Sequence, residues 1–287
     1  MNHRAMLAAA LLFALDPVLH APVLHAADKP PVDAGPYVPS PTSVVADMLT
    51  LAAVGPKDFV IDLGSGDGRI VLTAAKVFGA RGFGVDINAQ LVKEANEAAK
   101  LQGIADRANF TIQDLFKTDI SKATVVTMYL LPNTVNMLKD KLLTELKPGT
   151  KVLSHDYPLA GWLPEKYVQM DLEDKVIISG VTTTLIYLYV VPAKAEGAWS
   201  ARLPPNLSRE PVRLNLRQQI TRVSGSARIG GKDVPLEEAK LRGERFTFKL
   251  ALGGKTYDFS GTIKGKSIEG TVDSDGARAA WSAAPAK

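Results

Sequence analysis

The run Phe59-Val60-Ile61-Asp62-Leu63-Gly64-Ser65-Gly66-Asp67-Gly68-Arg69 sets three alternate glycines between a β-branched, apolar segment and a helical one built on Ile70, Val71, Ala74, Ala75 and Val77. This pattern predicts a strand, a sharp turn and a helix start. Glycines let the backbone bend and approach a ligand that a Cβ would hold off, while free N–H groups at the helix start face that ligand. The next apolar segment, Gly82-Phe83-Gly84-Val85-Asp86, ends in a carboxylate 22 residues after Gly64. Open α/β sheets place the acid that binds ribose hydroxyls at this point.

Two features argue against a dinucleotide fingerprint. The third glycine that would permit close helix–strand packing is replaced by Arg69, and an extra acid, Asp62, precedes the turn. A third strand pattern, Asn109 to Gln113, also ends in an acid, Asp114, followed by Leu115.

Strand and helix signals alternate along the middle of the chain. A helix is expected over 42–53, then strand 59–63, helix 69–78, strand 82–86, helix 88–102, strands 109–113 and 124–130, helix 134–146 and strand 151–155. Two more strands, Tyr167–Val176 and Val181–Val191, bring the total to seven. Alternation of this kind predicts a Rossmann-like α/β fold, a largely parallel sheet covered by helices on both faces. From about residue 198 the helical period gives way to short alternating runs separated by Gly253-Gly254, Gly265-Lys266 and Asp275-Gly276, which predict a small antiparallel all-β domain over 198–287. The expected organisation is a leader over 1–27, an extended Pro-rich lead-in without packed structure over 28–41, the α/β domain over 42–197 and the hairpin domain.

Arg4, the apolar run Ala5 to Leu15 and the small residues around Ala26 and Ala27 form the pattern of a cleaved secretory signal. That run is shorter than the roughly 20 residues that span a bilayer. The expected location is therefore exported, periplasmic after cleavage of the leader, or cytoplasmic if the leader is not functional. The absence of cysteine excludes disulfides and thiolate chemistry, and three of the four histidines lie in the leader, so no metal site is expected. Residues 198–287 carry 16 Lys+Arg against 9 Asp+Glu, while the rest of the chain is net acidic. Such a module fits either a solvated charged face or binding to an anionic partner or membrane surface. Its few aromatics fall at alternating core positions, so no nucleic-acid partner is expected.

The D-x-G-x-G-x-G run with acids ending the next two strands resembles the class I, seven-strand S-adenosylmethionine-dependent methyltransferases. Pro36-Tyr37-Val38-Pro39-Ser40-Pro41, Gly79-Ala80-Arg81-Gly82, Ala123 to Pro132 and Val152-Leu153-Ser154-His155 narrow the resemblance. They are similar to the protein-lysine methyltransferases of the mitochondrial ATP synthase c subunit and adenine nucleotide translocase, over about Pro36 to Leu163. The resemblance implies S-adenosylmethionine as cofactor, held by Asp62, Gly64, Ser65, Gly66, Asp86, Ile87, Asp114 and Leu115, with Tyr37 closing over it and no metal. It implies a protein partner with an accessible lysine, a membrane protein among the options. The carboxyl ends of the strands would bring Tyr129, His155 and Asp156 beside the reacting methyl. Each keeps a plainer alternative: a packed aromatic, a structural histidine and a loop cap. A binding protein on the same fold and a small-molecule methyltransferase are the competing functions.

Overall fold

The computed structural model describes residues 37–286, and the expected signal peptide lies outside the described residues. The chain forms α1 (Thr42–Leu51), β1 (Phe59–Leu63), α2 (Arg69–Val77), β2 (Arg81–Asp86), α3 (Ala89–Leu101), β3 (Ala108–Ile112), β4 (Val125–Met128), α4 (Pro132–Glu145), β5 (Lys151–His155), β6 (Lys166–Asp171), α5 (Glu173–Ser179) and β7 (Thr183–Val190). The seven strands order as β3-β2-β1-β4-β5-β7-β6. Strands β1 to β5 pair in parallel and β7 runs antiparallel to both its neighbours. The order reverses between β1 and β4, and ligands of open α/β sheets bind outside the carboxyl ends of the strands at such a point.

Residue alternation along the strands divides the core. Val60, Val125, Leu153 and Ile186 pack beneath Val45, Met48 and Leu49 of α1 and Ile70 and Ala74 of α2. Ile61, Val126, Val152 and Tyr189 face the opposite way, against Val135, Leu138 and Leu142 of α4. Successive strand residues point to opposite faces, so apolar runs such as Val60-Ile61 belong to a sheet covered on both sides. Proline at the first turn of α4 starts that helix at Pro132, and β4 ends at Met128, so Tyr129 and Leu130 sit in the connection rather than in the sheet.

One expected strand is corrected. The segment 167–176 is strand only to Asp171; α5 follows and stops at Gly180, whose φ of 75° suits glycine and whose N–H returns to the Val176 carbonyl. Lys175 explains the switch: although a lysine, it is 3% exposed, held against Asp156.

The remaining strands are β8 (Gly197–Arg202), β9 (Val212–Gln219), β10 (Arg222–Ile229), β11 (Lys232–Pro235), β12 (Glu237–Arg242), β13 (Arg245–Leu252), β14 (Lys255–Lys264), β15 (Ser267–Ser274) and β16 (Ala277–Pro285). They pair antiparallel in the order β11-β10-β12-β13-β14-β15-β16-β8-β9, and β9 also pairs with β10, closing the sheet into a barrel. A barrel of about eight strands has an interior that side chains can fill. Here Phe248 and Phe259 stack at 4.7 Å, and the Trp281 ring meets both edge-on at 5.6 and 5.5 Å.

Both sheets belong to one compact unit. The barrel meets the α/β sheet at the amino ends of the parallel strands. There Gly243 accepts from the Ala193 N–H at 2.8 Å and lies against Gly149, just before β5, while Arg242 pairs with Glu165 at 3.0 Å. The barrel and the carboxyl ends of the parallel strands therefore occupy opposite ends of the sheet.

Candidate functional site

At the carboxyl ends of β1, β2 and β4 the turn after β1 is pinned to β2, because the N–H groups of Gly64 and Ser65 both reach the Val85 carbonyl at 2.9 Å. Gly64 has φ +79° and Gly66 φ +52°, and a Cβ on Gly66 would run into the Tyr37 ring. The glycines thus leave room for a cavity of about 390 Å³, within the range of small-molecule sites. Tyr37, Asp62, Gly64, Ser65, Asp86, Ile87, Asp114, Leu115 and Tyr129 all line it, and Gly66 lies directly beneath Tyr37.

The acids differ in their surroundings. Asp62 is buried, accepts the Thr127 hydroxyl at 2.7 Å, and is pushed up to about 7 by burial, with Asp86 and Asp67 adding to the rise. Asp86 accepts the Gly66 N–H at 2.8 Å through one oxygen and the Asn88 N–H at 2.9 Å through the other. Asp114 accepts from the Phe116 N–H at 2.8 Å and so holds its own loop. The Ser65 hydroxyl is buried in the cavity wall without a hydrogen-bond partner among the described residues. An orphaned hydroxyl, a glycine cradle and two strand-end acids fit the amino-acid and ribose parts of S-adenosylmethionine.

The described end of the Pro-rich lead-in, residues 37–41, departs from expectation; the rest of it lies outside the described residues. Ser40 is 4% exposed, its carbonyl accepts from Arg69 at 2.7 Å, and its hydroxyl bonds the His155 Nδ1 at 2.8 Å. Residues 37–40 therefore form a strap fastened over the cavity rather than a loose lead-in. Arg69 also grips Asp67, at 2.6 Å, and although partial burial works against it, this guanidinium holds the Asp67 carboxyl below its usual range. In the sequence Arg69 stands out as the replacement of a glycine, and the acid two residues earlier is the signal for its use as a clamp.

Of the three acceptor-side residues, Tyr129 alone lines the cavity. His155 is wholly buried behind it, its ring 3.9 Å from the tyrosine ring by centroids. Burial pushes the imidazole down to about 4, against the pull of Asp156, so it is neutral near pH 7, and it stands behind Tyr129 rather than on the cavity wall. Asp156 is likewise set back. Its φ of 62° accompanies a tight turn in which the Tyr157 N–H returns to the His155 carbonyl at 2.8 Å. Side chains in this region are strained and persist where surrounding contacts fix them. Here the Asp156 carboxylate takes the Tyr129 hydroxyl at 3.0 Å, the Lys175 ammonium at 2.7 Å and the Leu185 N–H at 3.1 Å. Lys175 was not foreseen, because a lysine that directly follows two acids reads as surface. Burial and the neighbouring Asp156 charge raise the Tyr129 hydroxyl well above its usual range, so it stays protonated and donates to Asp156. Among the described residues no group of three His, Cys, Asp or Glu is placed to hold a metal ion.

Residues 62–166 match the ANTKMT methyltransferase domain. A protein-lysine N-methyltransferase of Saccharolobus islandicus (strain REY15A) is 45% identical over 157 residues, covering 54% of this chain and 93% of that protein. A lysine N-methyltransferase of the ATP synthase c subunit, from Xenopus laevis, is 34% identical over 130 residues, covering 45% of this chain and 57% of that protein. Among solved structures, an RNA methyltransferase from Salinibacter ruber in complex with S-adenosyl-L-homocysteine is 46% identical and covers 55% of this chain and 95% of that one, with a TM-score of 0.49. With the glycine turn, the strand-end acids and the 3-2-1-4-5-7-6 sheet on the same span, the chain belongs to the seven-strand, S-adenosylmethionine-dependent protein-lysine N-methyltransferase family.

Proposed function

We propose that this methyltransferase acts on the ε-amine of a lysine in a protein segment presented at the carboxyl ends of the strands. S-adenosylmethionine supplies the methyl group. The observation that carries the reading is the Tyr129 hydroxyl on the cavity wall, held as a donor to Asp156 at 3.0 Å. Its proton is committed, so toward the cavity the oxygen offers lone pairs, which suit an N–H donor such as an amine better than a carbonyl or carboxylate. Methyl transfer asks for alignment and a free lone pair on the nucleophile, and a lysine of ordinary pKa about 10.4 must first lose a proton. The half-exposed Leu131 beside Leu130 makes the rim apolar, which favours the neutral amine and supports an acceptor lysine set in an apolar segment, as in a membrane protein.

Three outcomes are expected. Labelled methyl groups should pass to a membrane-protein extract and be found on lysine by mass spectrometry. The rate should climb with pH as the acceptor amine deprotonates. Tyr129→Phe should lower turnover about 10- to 100-fold while leaving cofactor affinity nearly unchanged. Label appearing only on RNA or a small metabolite would defeat the lysine assignment. The leader pattern supports an exported location, which amino-terminal sequencing of the enzyme from its host would test by finding a start near residue 27 or at residue 1.

A further inference from the structure

A second cavity, of about 610 Å³, lies where the barrel joins the α/β sheet, on the side away from the cofactor site. Four cations face it: Arg222, Lys240, Arg242 and Arg245. The strand register sets them in two directly opposed like-charge pairs, Arg222 against Lys240 and Arg242 against Arg245. Like charges directly across an antiparallel pair repel and weaken the sheet. Glu165, paired with Arg242 at 3.0 Å, is the acid on the cavity wall. Arg222, Lys240 and Arg245 have no ion-pair partner among the described residues, and the nearby Glu238 is committed to Lys249 at 2.8 Å. Elsewhere on the barrel the like pair Arg213 and Arg228 is relieved by Asp233, 3.5 Å from Arg228. Glu165 relieves the Arg242–Arg245 pair in the same way, so the Arg222–Lys240 repulsion is the one at the junction without an acid beside it among the described residues.

We propose that this junction cavity binds an acidic polypeptide segment of a partner protein. Carboxylates match the planar forks of three arginines, and Thr221 and Thr247 add hydroxyls on the same wall. Leu163, half exposed, and the buried Val223 and Leu241 give the recess an apolar floor for a side chain between the acids. Among the described residues the cavity wall has no aromatic ring on which a nucleic-acid base would stack, and a recess of this size admits a chain more readily than the plane of a bilayer.

The test titrates full-length protein with a fluorescein-labelled peptide alternating glutamate and leucine. Its glutamine and leucine counterpart, phosphatidylserine vesicles and oligouridylate serve as competing arms. The acidic peptide should bind, and weaken with salt. In Arg222→Glu/Arg245→Glu, each substitution turns a like pair into an opposite pair, so the melting temperature should hold or rise while peptide affinity falls at least about tenfold. Cofactor affinity by calorimetry should not change, which separates this site from the methyltransferase site. Arg222→Gln serves if the double variant does not fold. The proposal is overturned if the neutral peptide binds as well, if vesicles or oligouridylate bind more tightly than the acidic peptide, or if the variants bind it as the parent does.

Discussion

Asp62 carries an unusual proton balance for a surface-facing enzyme site, since burial pushes it up to about 7. A carboxyl raised this way stabilises the fold below its unfolded value near 4, and the contribution is lost as pH rises through about 7. Above that pH the buried anion sits beside Asp86, and a cationic amino-acid end of the cofactor is the group that would offset it. Cofactor affinity should therefore increase between pH 6 and 8, with the thermal stabilisation by cofactor growing over the same window by an amount on the order of 1–3 kcal/mol. Calorimetric titration at several pH values checks this. Asp62→Asn should flatten the pH dependence, and a parallel slope in that variant would show that another group titrates. This acid, with Asp86 and Asp114, was legible in the sequence because each falls at or next to the end of a strand pattern. His155 was legible as a residue but not in its surroundings, because its hydrogen-bond partner is Ser40, 115 positions away.

At the scale of elements, the strap over residues 37–40 and helix α5 are the parts that pattern reading missed. Proline spacing says that a segment is extended, and it does not say what anchors it. The anchors are long-range: the Arg69 guanidinium to the Ser40 carbonyl and the Ser40 hydroxyl to His155. In α5 the acidic start and the Gly180 stop are helix signals, yet the β-branched Val176 and Ile177 suggest a strand until Lys175 is seen to be buried against Asp156. Arg69→Ala should release the strap at one end and weaken cofactor binding by about 1–3 kcal/mol, the scale of a charge-assisted hydrogen bond, while the melting temperature without cofactor changes little. Calorimetry on the folded variant measures the first and thermal unfolding the second. Unchanged affinity would mean that the Ser40–His155 bond and the packing of Tyr37 hold the strap without Arg69.

For the whole molecule, the hairpin texture after residue 198 was readable from alternating runs and paired turn glycines, but closure of those hairpins into a barrel was not. Closure depends on β9 meeting β10 as well as β8, a long-range pairing that no local period encodes. A chain ending at Pro192 should still bind cofactor, because the cavity lies at the other end of the sheet. It should be less stable by about 1–3 kcal/mol, since Ile220 no longer covers the core beneath it. Calorimetry and thermal unfolding together decide the point; loss of binding with folding retained would show that the barrel acts on the cavity at a distance.

The barrel's place at the amino ends of the strands has a mechanical meaning. Anything that grips the barrel leaves the catalytic mouth facing outward, as a handle leaves a blade free. A partner held on the barrel can therefore set how near the mouth comes to an acceptor without covering it, so holding the enzyme and choosing its target fall to opposite ends of one sheet.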